Sequence, residues 1–338
     1  MRICKQRIIF YYKLRIFFVK FLLITFSCGI IGNMKSIFIY NPNSGRGKTV
    51  KKLPYIVKML STKYDTVDVY ATKARGDLTE KIREVADSYD CIVFAGGDGS
   101  FNEVLRGIGD MDNPPLLGYI PSGTANDVAH SLKIPRKSIR GALRVILDGR
   151  SELLDCMKIN GTDYAMYSVS AGAFTSTTYT TPQKKKRRFG WLAYGMEGLK
   201  KNIPFEVFPV TVSDQEREAQ TESVFVLVMN GKCVAGMKMN TSGSMIDGNC
   251  EVAVVTQSEK PKLRNHIRAF FALIKLFLFG YKIKEKNLER FHGNKITIQA
   301  PENVVWNYDG EKGRSGSIEI EVLRERVRLI VPKNNKNI

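Results

Sequence analysis

Three short glycine-rich stretches, each following an apolar run, constrain this chain more than any other feature. "YNPNSGRGK" lies at 40–48, "FAGGDGSFNEVLRG" at 94–107 and "YIPSGTANDVAH" at 119–130. The second and third pass into helix-like sequence, and the first carries two cations. Glycine leaves the backbone open to close approach by an anion, and a helix start turns unpaired N–H groups toward it. Three such loops suit a backbone wrapped around phosphates.

The surrounding sequence alternates. Apolar runs at 35–41, 66–72, 90–97 and 115–123 read as strands. Helical spacing follows at 49–63, 76–88, 100–108 and 124–132. Strand–helix alternation with short loops predicts a parallel sheet covered on both faces, with ligands beyond the carboxyl ends of its strands. After about 150 the pattern becomes strand upon strand: 155–160, 163–172, 205–213, 222–231, 251–257, 295–300 and 317–323. The expected architecture is a Rossmann-like α/β domain over 34–150, then a mostly antiparallel β-sandwich over 151–316, with a cleft between them. The segment 317–338 is expected to return to the first domain. Two stretches interrupt the strands, a basic and aromatic one at 184–201 and an apolar helix at 266–280.

Charge narrows the partners. The chain of 338 residues has 52 Lys+Arg against 33 Asp+Glu, a formal charge of +19. Six of those cations precede position 34 with no acid among them, leaving about +13 elsewhere. A basic body favours phosphate-rich partners. The six cysteines include no C-x-x-C pair and the three histidines are far apart, which disfavours a Cys/His metal site and fits reduced, buried thiols. The first 33 residues have two open readings. The run 16–32 is apolar apart from Lys20 and reads as a membrane anchor or signal; alternatively Met34 is the true start of a cytoplasmic domain.

The loops have chemistry of their own. In "GGDGS", Gly96, Gly97 and Gly99 give freedom and Ser100 offers a hydroxyl. Asp98 is out of place beside phosphates unless a divalent cation lies between them, and Mg²⁺ commonly joins one or two carboxylates to phosphate oxygens. "PSGTANDVA" repeats the pattern with Gly123, Thr124, Asn126 and Asp127, whose carboxylate also suits a helix dipole. In "NPNSGRGK", Asn41, Asn43 and Ser44 are donors, and Arg46 and Lys48 are counter-charges. It is not a P-loop, because Pro42 stands where the first glycine belongs. The dinucleotide fingerprint fails as well, at Asn102.

In this order and spacing, "NPNSGRGK", "GGDGSFNEV" and "PSGTANDVA" resemble the catalytic domain of the diacylglycerol kinase and sphingosine kinase superfamily, especially its soluble bacterial lipid kinases. "NYDGE" at 307–311 resembles a fourth motif. The resemblance runs from about 34 onward. It implies an ATP- and Mg²⁺-dependent kinase that phosphorylates a lipid hydroxyl. By position, Asn41, Pro42, Asn43, Ser44, Gly45, Thr72, Gly96, Gly97, Asp98, Gly99, Ser100, Phe101, Asn102 and Thr124 would hold ATP. Asp98 and Asp127 would belong to the Mg²⁺ network. Glu311, with Asp309 beside it, would take the proton from the lipid hydroxyl. A structural Mg²⁺ would use Asp247 with the carbonyls of Ser244 and Asn249, although Cys250-Glu251 departs from the usual Leu-Asp there.

A lipid kinase must meet its substrate at a membrane. Lys184, Lys185, Lys186, Arg187 and Arg188, beside Phe189, Trp191 and Tyr194, join cations to aromatic anchors and suit an anionic surface. The apolar helix near 270–279 is short for a span, so it is expected to pack in the second domain or wall an acyl-chain site. These features imply a cytoplasmic protein at the inner membrane face, with an N-terminal anchor and a homodimer both left open. Nucleic acid is not an expected partner, since the aromatics and cations form no stacking platform. Two alternatives stand beside the lipid kinase: an NAD kinase-like enzyme, sharing the G-G-D-G loop, and a non-catalytic lipid-binding regulator.

Overall fold

A computed structural model describes residues 33–109, 111–124, 126–173, 206–234, 237–241, 243–257 and 263–335. The apolar N-terminal run and the cation–aromatic stretch at 184–201 lie outside the described residues.

Four strands form the first part: β1 (Lys35–Tyr40), β2 (Thr66–Ala71), β3 (Cys91–Gly96) and β4 (Leu117–Pro121). They are parallel in the order β2-β1-β3-β4. β3 and β4 are buried at every residue, as unbroken apolar runs require of central parallel strands, whereas the "TVDVYA" of β2 is half-exposed at the edge. After a single helical turn at Lys48–Lys51, the helices are α1 (Leu53–Leu60), α2 (Asp77–Val85), α3 (Asp98–Ile108), the short α4 (Asp127–Ser131) and α5 (Ile139–Asp148). α1 packs with α5 and α2 with α3. Right-handed crossovers in this strand order put the two pairs on opposite faces of the sheet. α5 starts where Ser138 Oγ accepts the Gly141 N–H at 3.0 Å, an N-cap bond. Ser138→Ala is expected to cost about 1 kcal/mol, read as a lower denaturant midpoint at unchanged slope.

The second part is antiparallel. Its strands are β5 (Arg150–Ile159), β6 (Asp163–Ala165), β7 (Ser168–Gly172), β8 (Phe208–Ser213), β9 (Glu218–Met229), β10 (Cys233–Val234), β11 (Met237–Lys238), β12 (Cys250–Thr256), β13 (Leu288–Gly293), β14 (Lys295–Gln299), β15 (Val305–Tyr308), β16 (Glu311–Ser315) and β17 (Ile318–Val331). Among the described residues of this part, one helix, α6 (Leu263–Phe279), lies between the strands. The main path runs β16-β15-β7-β9-β8-β14-β17, and alternate side chains enclose a core that includes Trp306, Val228 and Ile320. The buried indole N–H of Trp306 donates to the Gly316 carbonyl at 2.7 Å. Cys91, Cys156, Cys233 and Cys250 are buried thiols.

The two parts share a strand. β17 pairs antiparallel with β14 and β5, and its far end runs parallel to β4 at Leu329 opposite Leu117. The β5 pairing shifts between Leu323 and Val327, and Glu325 has φ of 56°. Buried Asp155 holds this irregularity: Oδ1 accepts the Glu325 N–H at 2.9 Å and Oδ2 the Gly248 N–H at 2.7 Å. Among the described residues, fifteen strands thus form one hydrogen-bonded sheet, parallel at one end and antiparallel at the other. The α/β-then-β architecture read from the sequence is the observed one.

Candidate active site

β1, β3 and β4 end side by side, so the loops that follow them emerge at one edge of the sheet. After β1, Asn41 Oδ1 accepts the Asn43 N–H at 2.8 Å, which tightens the turn and leads Ser44 inward. The Ser44 hydroxyl shares a 2.9 Å hydrogen bond with that of Ser122, in the loop after β4. The loops after β3 and β4 touch backbone to backbone. A Cβ on Gly123 would lie 2.5 Å from Gly97 Cα, so neither residue tolerates a side chain without separation of the loops.

Asp98 fastens the second loop to the third. Its Oδ2 accepts the Asn126 N–H and its Oδ1 the Asp127 N–H, both at 2.8 Å, capping α4 from another segment. Asn126, at φ of 52°, binds Gly123 through both ends of its amide, at 2.9 Å each. Burial raises the Asp98 carboxyl above the usual range, and the backbone donors oppose that rise.

The second part of the chain reaches the same place. Asp309 follows β15 in a left-handed turn (φ 51°) and is buried. Its carboxylate accepts N–H groups of Met166, Tyr167 and Ser168, the last at 2.9 Å. Desolvation pushes this carboxyl up to about 7, against the three amides, with Asp98 adding to the rise. Beyond the turn, Glu311 lies over the glycine loop: a Cβ on Gly99 would fall 2.4 Å from Glu311 Oε1. Glu311 also accepts a 2.7 Å ion pair from Arg75. Asp98, Asp127 and Asp309 all act to raise the buried Tyr167 hydroxyl, after desolvation, so the acids of both parts share one neighbourhood.

The remaining sequence-predicted residues fall around this point with different exposures. Asn41, Asn43 and Thr124 are exposed, and Pro42, Ser44, Thr72 and Ser100 are half-buried. The Thr72 N–H donates to the Tyr40 carbonyl, joining the ends of β1 and β2. Phe101 is a core residue, its ring packed against Phe94 and Tyr119, and its N–H donates to Gly97 O. Asn102 is buried, and its amide donates to Tyr164 O at 2.7 Å. Arg75 is the residue the sequence reading passed over. Its signal was slight, a cation two residues after Lys73 and just before Gly76 in the loop after β2.

The turn expected to hold a structural metal is closed on itself. Asp247 Oδ1 accepts the Asn249 N–H at 3.0 Å, and Asn249 Nδ2 donates to the Asp247 carbonyl at 3.0 Å. Glu251, at the departing position, is bonded by Asn240. Among the described residues, no group of three His, Cys, Asp or Glu side chains is arranged to hold a metal. The donors expected for the structural Mg²⁺, one carboxylate with two backbone carbonyls, are a set of another kind and remain an expectation. The carboxylates around the glycine loops are another matter: a crowd of partly buried acids beside a phosphate cradle suits a cation that arrives with the phosphates and keeps most of its water.

Asp309 gives a prediction with a definite sign. An unfolded aspartate titrates near about 3.9. The folded carboxyl holds its proton to about 7, so folding takes up a proton between those values. Stability is therefore expected to fall as pH rises through that window. Asp309→Asn, always neutral, is expected to flatten the dependence, as measured by chemical denaturation between about pH 4.5 and 8.

Comparison with known proteins says which class of protein carries this two-part fold and this site. The diacylglycerol kinase catalytic domain matches residues 35–159, and the YegS C-terminal NAD kinase beta sandwich-like domain matches 167–331. The diacylglycerol kinase of Bacillus subtilis (strain 168) is 30% identical over 297 residues, covering 87% of this chain and 95% of the relative. That of Staphylococcus epidermidis (strain ATCC 12228 / FDA PCI 1200) is 30% identical over 299 residues, covering 88% and 92%. A crystal structure of a diacylglycerol kinase from Bacillus anthracis str. Sterne has a TM-score of 0.71 at 24% identity, over 90% of this chain and all of that one; it supports the fold. The chain belongs to the diacylglycerol kinase family. It is a kinase, and membership implies ATP as co-substrate.

Proposed function

We propose that the chain transfers the γ-phosphoryl group of ATP, in the presence of Mg²⁺, to the hydroxyl of diacylglycerol or a related lipid alcohol. The observation that carries this reading is the placement of Glu311, from the antiparallel part, against Gly99 in the glycine loop of the parallel part. Phosphoryl transfer depends mainly on positioning and charge neutralisation. The loops at 41–45, 96–102 and 122–126 would cradle the phosphates through backbone donors. Glu311 would accept the proton of the attacking hydroxyl. Asp309, accepting hydrogen bonds from three backbone N–H groups, would fix the turn that aims Glu311. Asp98 and Asp127 would face the Mg²⁺-bearing side of the nucleotide, and the ion would neutralise phosphate charge.

Arg75 supports the same reading. Its ion pair with Glu311 is largely exposed and of small energetic value, so the side chain is available to a phosphate. The test is incubation with labelled ATP, Mg²⁺ and a mixed lipid extract, with NAD in a parallel reaction. A labelled phospholipid and unlabelled NAD are the expected result. Label in NAD alone would turn the assignment to an NAD kinase, and label in neither would favour a non-catalytic lipid binder.

A further inference from the structure

The two faces of α6 meet different surroundings. Ala269, Ala272, Leu273 and Leu276 are buried in a cluster with Phe225 and Val255 of β9 and β12. On the opposite side Ile267, Phe271, Leu278 and Phe279 are 47%, 51%, 54% and 68% exposed. These are four of the nine large hydrophobic side chains exposed in the described structure, gathered on one helix. At 100° per residue they share roughly one third of the helix circumference with Arg264, Arg268 and Lys275. Both arginines are exposed.

The charge on this face is one-sided. The helix sequence "LRNHIRAFFALIKLFLF" contains no acid. Lys282, Lys284 and Lys286, exposed, follow its C-terminus. The one acid among them, Glu285, is paired with Lys275 at 2.6 Å. No helix among the described residues is long and apolar enough to cross a membrane. An apolar stripe rimmed by cations, on a helix too short to span, has the chemistry of a segment that lies in the bilayer interface. A second copy of the chain is a poorer occupant, since it would bring the same cations against these.

We infer that the outer face of α6 docks the protein on an anionic phospholipid bilayer, with Phe271 and Leu278 entering the acyl boundary and Arg264 and Arg268 among the headgroups. The inference rests on the lipid-kinase reading for its purpose, but not for its test. Full-length chain is sedimented with vesicles of phosphatidylcholine alone or mixed with phosphatidylglycerol. Binding is expected only to the mixed vesicles. Each cation near such a surface contributes about 1 kcal/mol, so Arg264→Gln with Arg268→Gln is expected to weaken binding about 30-fold. Phe271→Ser with Leu278→Ser is expected to weaken it at least about tenfold. Phe271→Trp should keep binding and show quenching by brominated lipid.

Activity on a short, water-soluble acceptor is expected to be unchanged in the arginine pair of variants. Vesicle binding without lipid phosphorylation would leave the docking face standing while the kinase reading failed. Equal vesicle binding by wild type and both double variants would overturn the inference. So would conversion of an oligomer to monomers by Phe271→Ser with Leu278→Ser at undiminished vesicle binding, which would make the face a contact between copies.

Discussion

Glu311→Gln is expected to lower kcat by about 10²–10⁴-fold while leaving the KM for ATP within a few-fold of wild type, the range general-base assistance usually supplies. The substitution preserves shape and removes only the capacity to hold a proton. It also removes the charge partner of Arg75, but that pair is solvent-exposed and worth about 1 kcal/mol or less. The denaturant midpoint should therefore hardly move. Arg75→Ala is the companion measurement: it breaks the same ion pair and leaves the base in place. Steady-state kinetics of the two variants separate loss of the base from loss of the pair. Near-wild-type turnover in Glu311→Gln would remove Glu311 from the reaction.

Asp98→Ala is expected to destabilise the protein by about 2–6 kcal/mol, because two N–H groups, of Asn126 and Asp127, lose their acceptor at about 1–3 kcal/mol each. The KM for ATP should rise in parallel, since the loops after β3 and β4 lose their clasp. Asp98→Asn is the sharper probe. Its amide keeps one oxygen and turns an NH₂ toward the other donor, so an intermediate loss of stability is expected. If turnover vanished in Asp98→Asn with the midpoint unchanged, the carboxylate would act through its charge on a bound cation rather than through the backbone it holds. Denaturation and kinetics on the same preparation decide between them.

What the sequence revealed follows from how far apart the interacting groups lie. The buried runs of β1, β3 and β4 were legible because central parallel strands are continuous apolar segments, and the glycine turns because close approach demands glycine. α5 was legible too and passed unread: Ser138 as cap, then Ile139, Ala142, Leu143 and Ile146 at helical spacing. β16, "EKGRS", has no apolar residue, so only its pairing with β15 makes it a strand. The run 317–323 was read as one strand among C-terminal strands over 317–338, not as the first half of a single strand; Arg324, Glu325 and Arg326 break the alternation. The strand continues because Asp155, 170 residues earlier, satisfies the bulge. The carboxylates of the site were read as chemistry, yet Asp98 and Asp309 are also backbone acceptors. Their amide partners lie 28–29 and 141–143 residues away, beyond any local pattern. Arg75 and Glu311 are 236 positions apart, and only the fold brings them together.

The path of β17 has a consequence for how the chain matures. The strand that closes the flank of β4 is also the last of the described strands to leave the ribosome. The parallel half of the sheet, although encoded first, therefore waits through most of translation with one side unsealed. Synthesis order and assembly order diverge, so a nascent chain halted before residue 318 would expose a raw sheet margin of the kind chaperones shield.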